Sequence, residues 1–117
     1  MATVPGKFEM PTKGTVRASW LLANGDDGTP LDAMTYADKT VSVRGTFGAG
    51  GSVQIEGGDA IAPSYSILND SLGETNTLIF TAADTRTILE HPGRIRPRVT
   101  AGDGTTSLTI VIEGVSR

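Results

Sequence analysis

The sequence predicts an all-β chain folded as a jelly-roll-like antiparallel β-sandwich, and three observations predict it. Threonine and glycine dominate, with 16 threonines and 15 glycines among 117 residues. Threonine suits strands and glycine suits turns and bulges, and neither favours a helix interior. Short segments alternate apolar and polar residues with period two, and Gly, Asn, Asp and Pro clusters separate them at the spacing of a sandwich or barrel.

Residues 1–14 hold Pro5, Pro11, Gly6 and Gly14 with scattered charges and no sustained period. They read as an extended N-terminal arm, either a disordered terminus or a segment that orders by lying on a neighbour. Residues 15–117 form the sandwich domain. Val16, Ala18 and Trp20 share one side of a strand that ends at Asn24-Gly25 and Asp26-Asp27-Gly28. Val41 and Val43 mark a second strand, Val53 and Ile55 a third, Tyr65 and Ile67 a fourth, and Leu78 and Phe80 a fifth. Ile95 with Val99, then Leu108, Ile110 and Ile112, complete the set at about seven strands.

One segment departs from this pattern. Thr81 with Asp84 three residues on resembles a capping box, Ala82 and Ala83 favour helix, and His91-Pro92-Gly93 is a stop signal. The expectation is a short helix over residues 82–89, although Thr85 and Thr87 are poor helix formers. The glycine-rich run 45–51 lacks the Lys-Ser/Thr and following helix of a phosphate-binding loop, so it reads as a hairpin connection. Residues 101–105, with Asp103-Gly104 as the turn signal, read the same way.

Composition narrows the chemistry. There is no cysteine, which removes thiol nucleophiles and thiolate metal sites, and there is one histidine, His91. The longest apolar stretches are four or five residues, far from the roughly 20 that span a bilayer, and the first ten residues lack the apolar core of a signal peptide. No membrane association is expected, and synthesis is expected in a cytoplasm. With a formal charge of -3 and 5% aromatic residues, nucleic acid is disfavoured. The same shortage of aromatics weakens a lectin reading. His91 beside Glu90 has the composition of a general-base pair, but a turn histidine at the surface accounts for it as well. Asn24, Asp26 and Asp27 carry oxygen ligands on a short loop without the spacing of a calcium-binding EF-hand, and turn chemistry explains the same residues. No enzyme activity and no cofactor are expected.

Arg94, Arg96 and Arg98 are the most informative charged feature. They alternate with Ile95, Pro97 and Val99, so in a strand the three guanidinium groups line one face while the apolar set faces the core. Pro97 donates no ladder hydrogen bond, which points to an edge strand or a bulge. Such a row suits an acidic protein surface or phosphate, and equally a solvated face that discourages edge-to-edge aggregation.

The runs Leu22-Ala23-Asn24-Gly25-Asp26, Tyr36-Ala37-Asp38-Lys39, residues 41–48, residues 53–57 and residues 94–106 together resemble a family of small tailed-bacteriophage virion proteins. Its members include head decoration, or cement, proteins that bind the outside of the capsid. The resemblance spans most of Trp20 to Ile112, and departs from the family after Gly57, where Gly58-Asp59-Ala60-Ile61-Ala62-Pro63 replaces the expected turn. It implies a jelly-roll sandwich on the outer surface of the head, bound to the major capsid protein across joints between subunits, with no catalytic residues to carry over. A two-fold homodimer on capsid two-folds fits such a role. Pro5 and Pro11 of the arm, with Arg94, Arg96 and Arg98, are the expected partner-binding residues. A tail-associated or glycan-binding virion module is the rival expectation, and a small hydrolase a more distant one.

Overall fold

The computed structural model describes residues 2–33, 36–59, 61, 64–70 and 76–116. Among them are twelve strand segments: β1 Thr3–Val4, β2 Lys7–Glu9, β3 Thr15–Ala23, β4 Asp27–Gly28, β5 Leu31–Asp32, β6 Asp38–Thr46, β7 Ser52–Gly58, β8 Ser66–Ile67, β9 Ile79–Phe80, β10 Asp84–Ile88, β11 Arg94–Ala101 and β12 Ser107–Val115. They form two sheets. Sheet A runs β1-β4-β11-β7-β8, with β5 also on β11 and β9 also on β7. Sheet B runs β10-β6-β12-β3-β2. All pairings are antiparallel except that of β1 with β4.

The period-two pattern builds the core. Val16, Ala18, Trp20 and Leu22 of β3, Val41 and Val43 of β6, and Leu108, Ile110 and Ile112 of β12 point inward from sheet B. Val53, Ile55, Ile95 and Val99 meet them from sheet A. A one-residue slip in any of these strands would turn its apolar set to water, so burial itself holds the register.

Residues 82–89 form no helix. The chain bends at residues 81–83, and β10 then pairs with β6 from Asp84↔Val43 to Ile88↔Lys39 as the edge of sheet B. Thr85, Thr87 and Ile88 are β-branched, and the open side of β6 offers backbone partners that an isolated two-turn helix lacks. Asp84, which resembled a capping residue, accepts the Thr85 N–H at 2.8 Å and pairs with Arg86. Thr85 Oγ1 lies 3.0 Å from Ser42 Oγ across the ladder.

The N-terminal residues also depart from expectation, because they lie on their own body. β1 pairs with β4 at the edge of sheet A, and β2 pairs with β3 at the edge of sheet B. The Pro5-Gly6 step carries the chain from one sheet to the other, closing one side of the sandwich over Trp20. There the indole N–H donates to the Thr29 carbonyl at 3.0 Å, and the Phe8 ring meets the indole edge-on at 5.8 Å. A side chain at Gly28 would place its Cβ 2.6 Å from Trp20 Cδ1, so only glycine permits this approach.

The two glycine-rich connections are corners between sheets, not hairpins. Residues 47–51 lead from β6 in sheet B to β7 in sheet A, and residues 102–106 lead from β11 in sheet A to β12 in sheet B. They run side by side and are tied together. Asp103 accepts the Ala49 N–H at 2.8 Å and the Thr105 N–H at 2.8 Å, while Thr106 Oγ1 donates to the Phe47 carbonyl at 2.8 Å. These hydrogen bonds hold the Asp103 carboxyl down at about 2, the Thr105 hydroxyl contributing most and the Ala49 N–H next. Gly48, at φ 76, lies so close to Asp103 that a Cβ would collide with its carboxylate.

Candidate functional site on the outer face of sheet A

Alternation along β11 turns Ile95, Pro97 and Val99 into the core and Arg94, Arg96 and Arg98 to the outer face of sheet A. β11 is an interior strand, flanked by β7 on one side and by β4 and β5 on the other. Pro97 is tolerated there for a local reason. The Val99 N–H points toward the β4 side, donating to the Asp26 carbonyl at 2.8 Å, so the place where a Pro97 N–H would point lies two residues along on that same side. It falls opposite Gly28, the last residue of β4, whose backbone comes so near that an added Cβ would lie 2.9 Å from Pro97 Cδ. The missing donor thus falls at the last rung of the short β4 ladder, inside the sheet rather than at its edge.

The three arginines do not stand alone on this face. Register places Glu56 of β7 opposite Arg96. Its Oε1 accepts Arg96 Nε at 3.0 Å and its Oε2 accepts Arg98 Nη1 at 3.3 Å, with Gln54 Nε2 donating to the same oxygen. Arg96 also reaches Asp27 of β4 at 3.4 Å, and its guanidinium lies 4.0 Å over the centre of the Tyr65 ring. Arg94 stands opposite Asp32 of β5 in the ladder. Glu56 is thereby buried on the outside of a sheet, its side chain 4% exposed beneath the two arginines. A buried carboxylate survives only when cations and donors replace the water it has lost, and here it has both.

The consequence for recognition differs along the row. Arg96 is 21% exposed and held by two carboxylates and an aromatic ring, so it serves the sheet. Arg98 is 47% exposed with a single carboxylate contact, and its remaining donors face outward. Next to it lies a hollow of about 350 Å³ lined by Gly25, Asp27, Arg96, Arg98, Val99 and Thr100. Asp27 Oδ1 is buried without a hydrogen-bond partner among the described residues. The hollow is therefore lined by arginine donors, while Asp27 turns one oxygen to Arg96 and keeps the other closed to solvent.

The remaining candidates are dispersed. Pro5 is exposed at the step between β1 and β2, and Pro11 is exposed in the turn before β3, on the rim of a second hollow at sheet B. Asp26 accepts the Ala23 and Ala2 N–H groups and Asp27 is engaged by Arg96, so the Asn24 to Asp27 cluster is spent on the turn and the sheet. Glu90 does not orient His91, because both its oxygens accept from Asn69, at 2.8 Å from the backbone N–H and 2.7 Å from Nδ2. His91 Nδ1 instead faces Lys39 Nζ at 3.1 Å. Lys39, a residue the sequence did not single out, is 1% exposed at one end of the core and donates to the Tyr36 carbonyl at 2.9 Å. Burial holds its pKa below the usual lysine range, against the opposing pull of Asp38. The alternation of Lys39 with Asp38 and Thr40 on an inward position was the available signal.

No protein-family model matches the sequence, and no curated protein matches it either. Two solved structures share the fold. One is the SPBc2 prophage-derived protein YomS, with a TM-score of 0.65 and 11% identity over 92% of this chain and 100% of that one. The other is a cupin domain (bp2299) from Bordetella pertussis Tohama I, with a TM-score of 0.56 and 12% identity over 99% of this chain and 96% of that one. At these identities the likeness concerns the fold: an all-β sandwich, shared with a cupin domain and with a protein of prophage origin.

Proposed function

We propose that this chain is a non-enzymatic virion protein that decorates the outside of an assembled tailed-phage head and stabilises joints between major capsid protein subunits. The supporting observation is that the sandwich runs the whole length of a prophage-derived protein, joined to the sequence resemblance to head decoration proteins carried by residues 22–26, 36–39, 41–48, 53–57 and 94–106. Such a protein acts by binding the assembled shell better than the free subunits, which shifts the equilibrium toward the intact head. It is made in the host cytoplasm and works on the outer surface of the particle, as one of many copies and as a two-fold dimer whose linked contacts add retention.

In this reading the outward end of the arginine row meets an acidic patch of the major capsid protein. Arg94 and Arg98 are the residues to replace, because removing Arg96 would strand the buried Glu56 and confound binding with folding. On purified heads free of decoration protein, the Arg94→Gln, Arg98→Gln double variant is expected to bind on the order of tenfold more weakly at about 0.15 M salt, with the loss shrinking as salt rises. Unchanged, salt-independent occupancy would remove the row from the interface. Deleting residues 2–13 takes away β1 and β2 and uncovers Trp20, so arm contacts are better tested by substituting Pro5 and Pro11 at matched thermal stability. Labelling at the tail, or retention on a glycan array, would favour the tail-associated or glycan-binding alternative.

A further inference from the structure

The N-terminal arm is joined to the body through a single exposed connection, and none of residues 2–14 is buried. On sheet A, the Asp27 N–H donates to the Ala2 carbonyl and the Thr29 N–H to the Val4 carbonyl, each at 2.9 Å. Between the sheets, the Gly6 N–H donates to Thr29 Oγ1 at 2.9 Å, and the Gly6 backbone lies so close on Trp20 that a Cβ would stand 2.5 Å from Nε1. On sheet B, Lys7, Phe8 and Glu9 face Ser19, Ala18 and Arg17. The arm thus fills an open edge of each sheet, and it is recognised by backbone and ring rather than by charge, since Lys7 and Glu9 pair with each other. The connection, residues 10–14, is exposed throughout. It folds back through one β-turn, in which the Thr15 N–H donates to the Thr12 carbonyl at 3.2 Å and Gly14 takes the positive φ of 81 that the turn requires. The Thr15 hydroxyl holds this turn shut, accepting the Thr12 N–H at 3.0 Å and donating to the Thr12 carbonyl at 2.8 Å. Pro11, just before it, keeps Met10 out of the helical region and favours extended chain there.

We infer that the arm exchanges between two copies of this chain, residues 2–9 of each filling the β3 and β4 edges of the other and its Phe8 covering the other's Trp20. A second copy is the occupant because its arm is the segment whose match to both edges and to the indole the fold already displays. An exchanged arm makes the same ladder and ring contacts, so only the hinge differs between the closed and the exchanged forms. With the turn opened, the stretch from Glu9 to Thr15 spans about 20 Å, enough to pass from one body to the next where two β3 starts lie side by side. Exchange costs the Thr12-Thr15 turn and the freedom of one copy. An arm with no buried residue opens at the low end of local stability, so release does not require the sandwich to unfold. Copies spaced closely on a shell offset the cost by raising the effective concentration of a neighbour's open edge.

The inference rests on the self-association in the proposed function and gives it a means. Its test uses the purified chain without heads, so it fails or succeeds separately from head binding. The chain has no cysteine, and Lys7 and Ser19 stand opposite each other on the outer face of sheet B. A short bis-maleimide therefore joins a Lys7→Cys chain to a Ser19→Cys chain where the arm of one lies on the body of the other. Mixed at about 100 µM and then cross-linked, the two should give a covalent dimer with one chain of each kind, well above the level of either variant alone. The double variant Lys7→Cys, Ser19→Cys, cross-linked when dilute, should close within one chain, and its failure to close would overturn the seating of the arm and the inference with it. Thr15→Val removes the hinge hydroxyl and keeps a β-branched strand residue, so at equal concentration it should raise the dimer fraction by roughly threefold or more. A face-to-face dimer would cross-link without sensing the hinge. Cross-linking of the mixture no greater than in the single-variant controls overturns the inference, as does a dimer fraction that Thr15→Val leaves unchanged or lowers.

Discussion

On sheet A, Arg96 Nε meets Glu56 at 3.0 Å; on sheet B, Arg17 Nε meets Glu113 at 3.1 Å. The two pairs share residue types, distance and a place on the outer face of a sheet, and they differ in water. Glu56 is 4% exposed and lies under a second arginine, whereas Glu113 is 53% exposed. The first pair is a structural element that sets how β7, β11 and β4 sit together. The second is a surface contact whose partners water solvates almost as well, which leaves Glu113 available to another molecule. A row of arginines in a sequence is therefore not a measure of free positive surface; the carboxylates that the fold brings to it decide that.

The largest expected effect tests this difference directly. Glu56→Gln should destabilise the fold by about 2 kcal/mol, less than the 3–5 kcal/mol of a fully buried pair because Arg96 and Arg98 retain some water. Urea denaturation followed by tryptophan fluorescence measures it, and an effect below about 0.5 kcal/mol would place Glu56 with the surface pairs.

Lys39 sharpens the comparison with a buried charge that hydrogen bonds satisfy and no salt bridge accompanies among the described residues. Its pKa is lowered in the folded state, so between that value and the unfolded value near about 10.4 the unfolded chain holds more protons and stability rises with pH. Lys39→Met should lack this alkaline rise while staying within about 1 kcal/mol of wild type at pH 7, the lost carbonyl hydrogen bonds offsetting the removed desolvation. Parallel denaturation curves for the two proteins up to pH 10 would contradict it.

Asp103 is the opposite case, a carboxylate at the surface that matters through hydrogen bonds to Thr105 and Ala49. Because its folded pKa is about 2, below the unfolded value of about 3.9, the stability it contributes is present above the unfolded pKa and lost as pH falls toward the folded one. Asp103→Asn should melt at a lower temperature than wild type at neutral pH, and the gap should narrow between about pH 4 and pH 2. A constant gap across that range would show that the two corners do not depend on its charge.

The smallest effect is expected at the exposed pair. Arg17→Gln should change stability by no more than about 0.5 kcal/mol, and the difference should vanish in about 1 M salt.

Much of the fold was legible in particular residues. Trp20, Val41, Ile55, Phe80, Ile95 and Ile110 each signalled a strand through period-two alternation, and each lies in one of the observed strands with its side chain in the core. The shortest elements escaped. β1, β4 and β5 are two residues long, too short for any period to show; β4 and β5 exist because β11 offers them an edge, and β1 because β4 does. β10 escaped for another reason: Thr81, Ala82, Ala83 and Asp84 imitate a helix start, and only the open side of β6 overrides that local signal. At the candidate site, the common face of Arg94, Arg96 and Arg98 was legible, but Glu56 was not, since a charged residue in an alternating strand reads as solvated unless its cross-strand neighbours are known.

The sequence by itself determined the class of the fold and which face of each long strand turns inward, because alternation and turn chemistry are local and burial makes a slip in register costly. Tertiary structure alone decided which strands are neighbours. The Asp103-Gly104 turn and the glycines of residues 45–51 permit a hairpin and a corner equally, and the choice went to the corner because strands on both sides had core faces that only two facing sheets could bury. From that choice follows the fate of the charges: Glu56 beneath Arg96 and Arg98, Asp103 between two crossings, Lys39 at the end of the core and Arg44 left on an open face. Charge acts across space, and these partners come from residues 40 or more positions away in the chain.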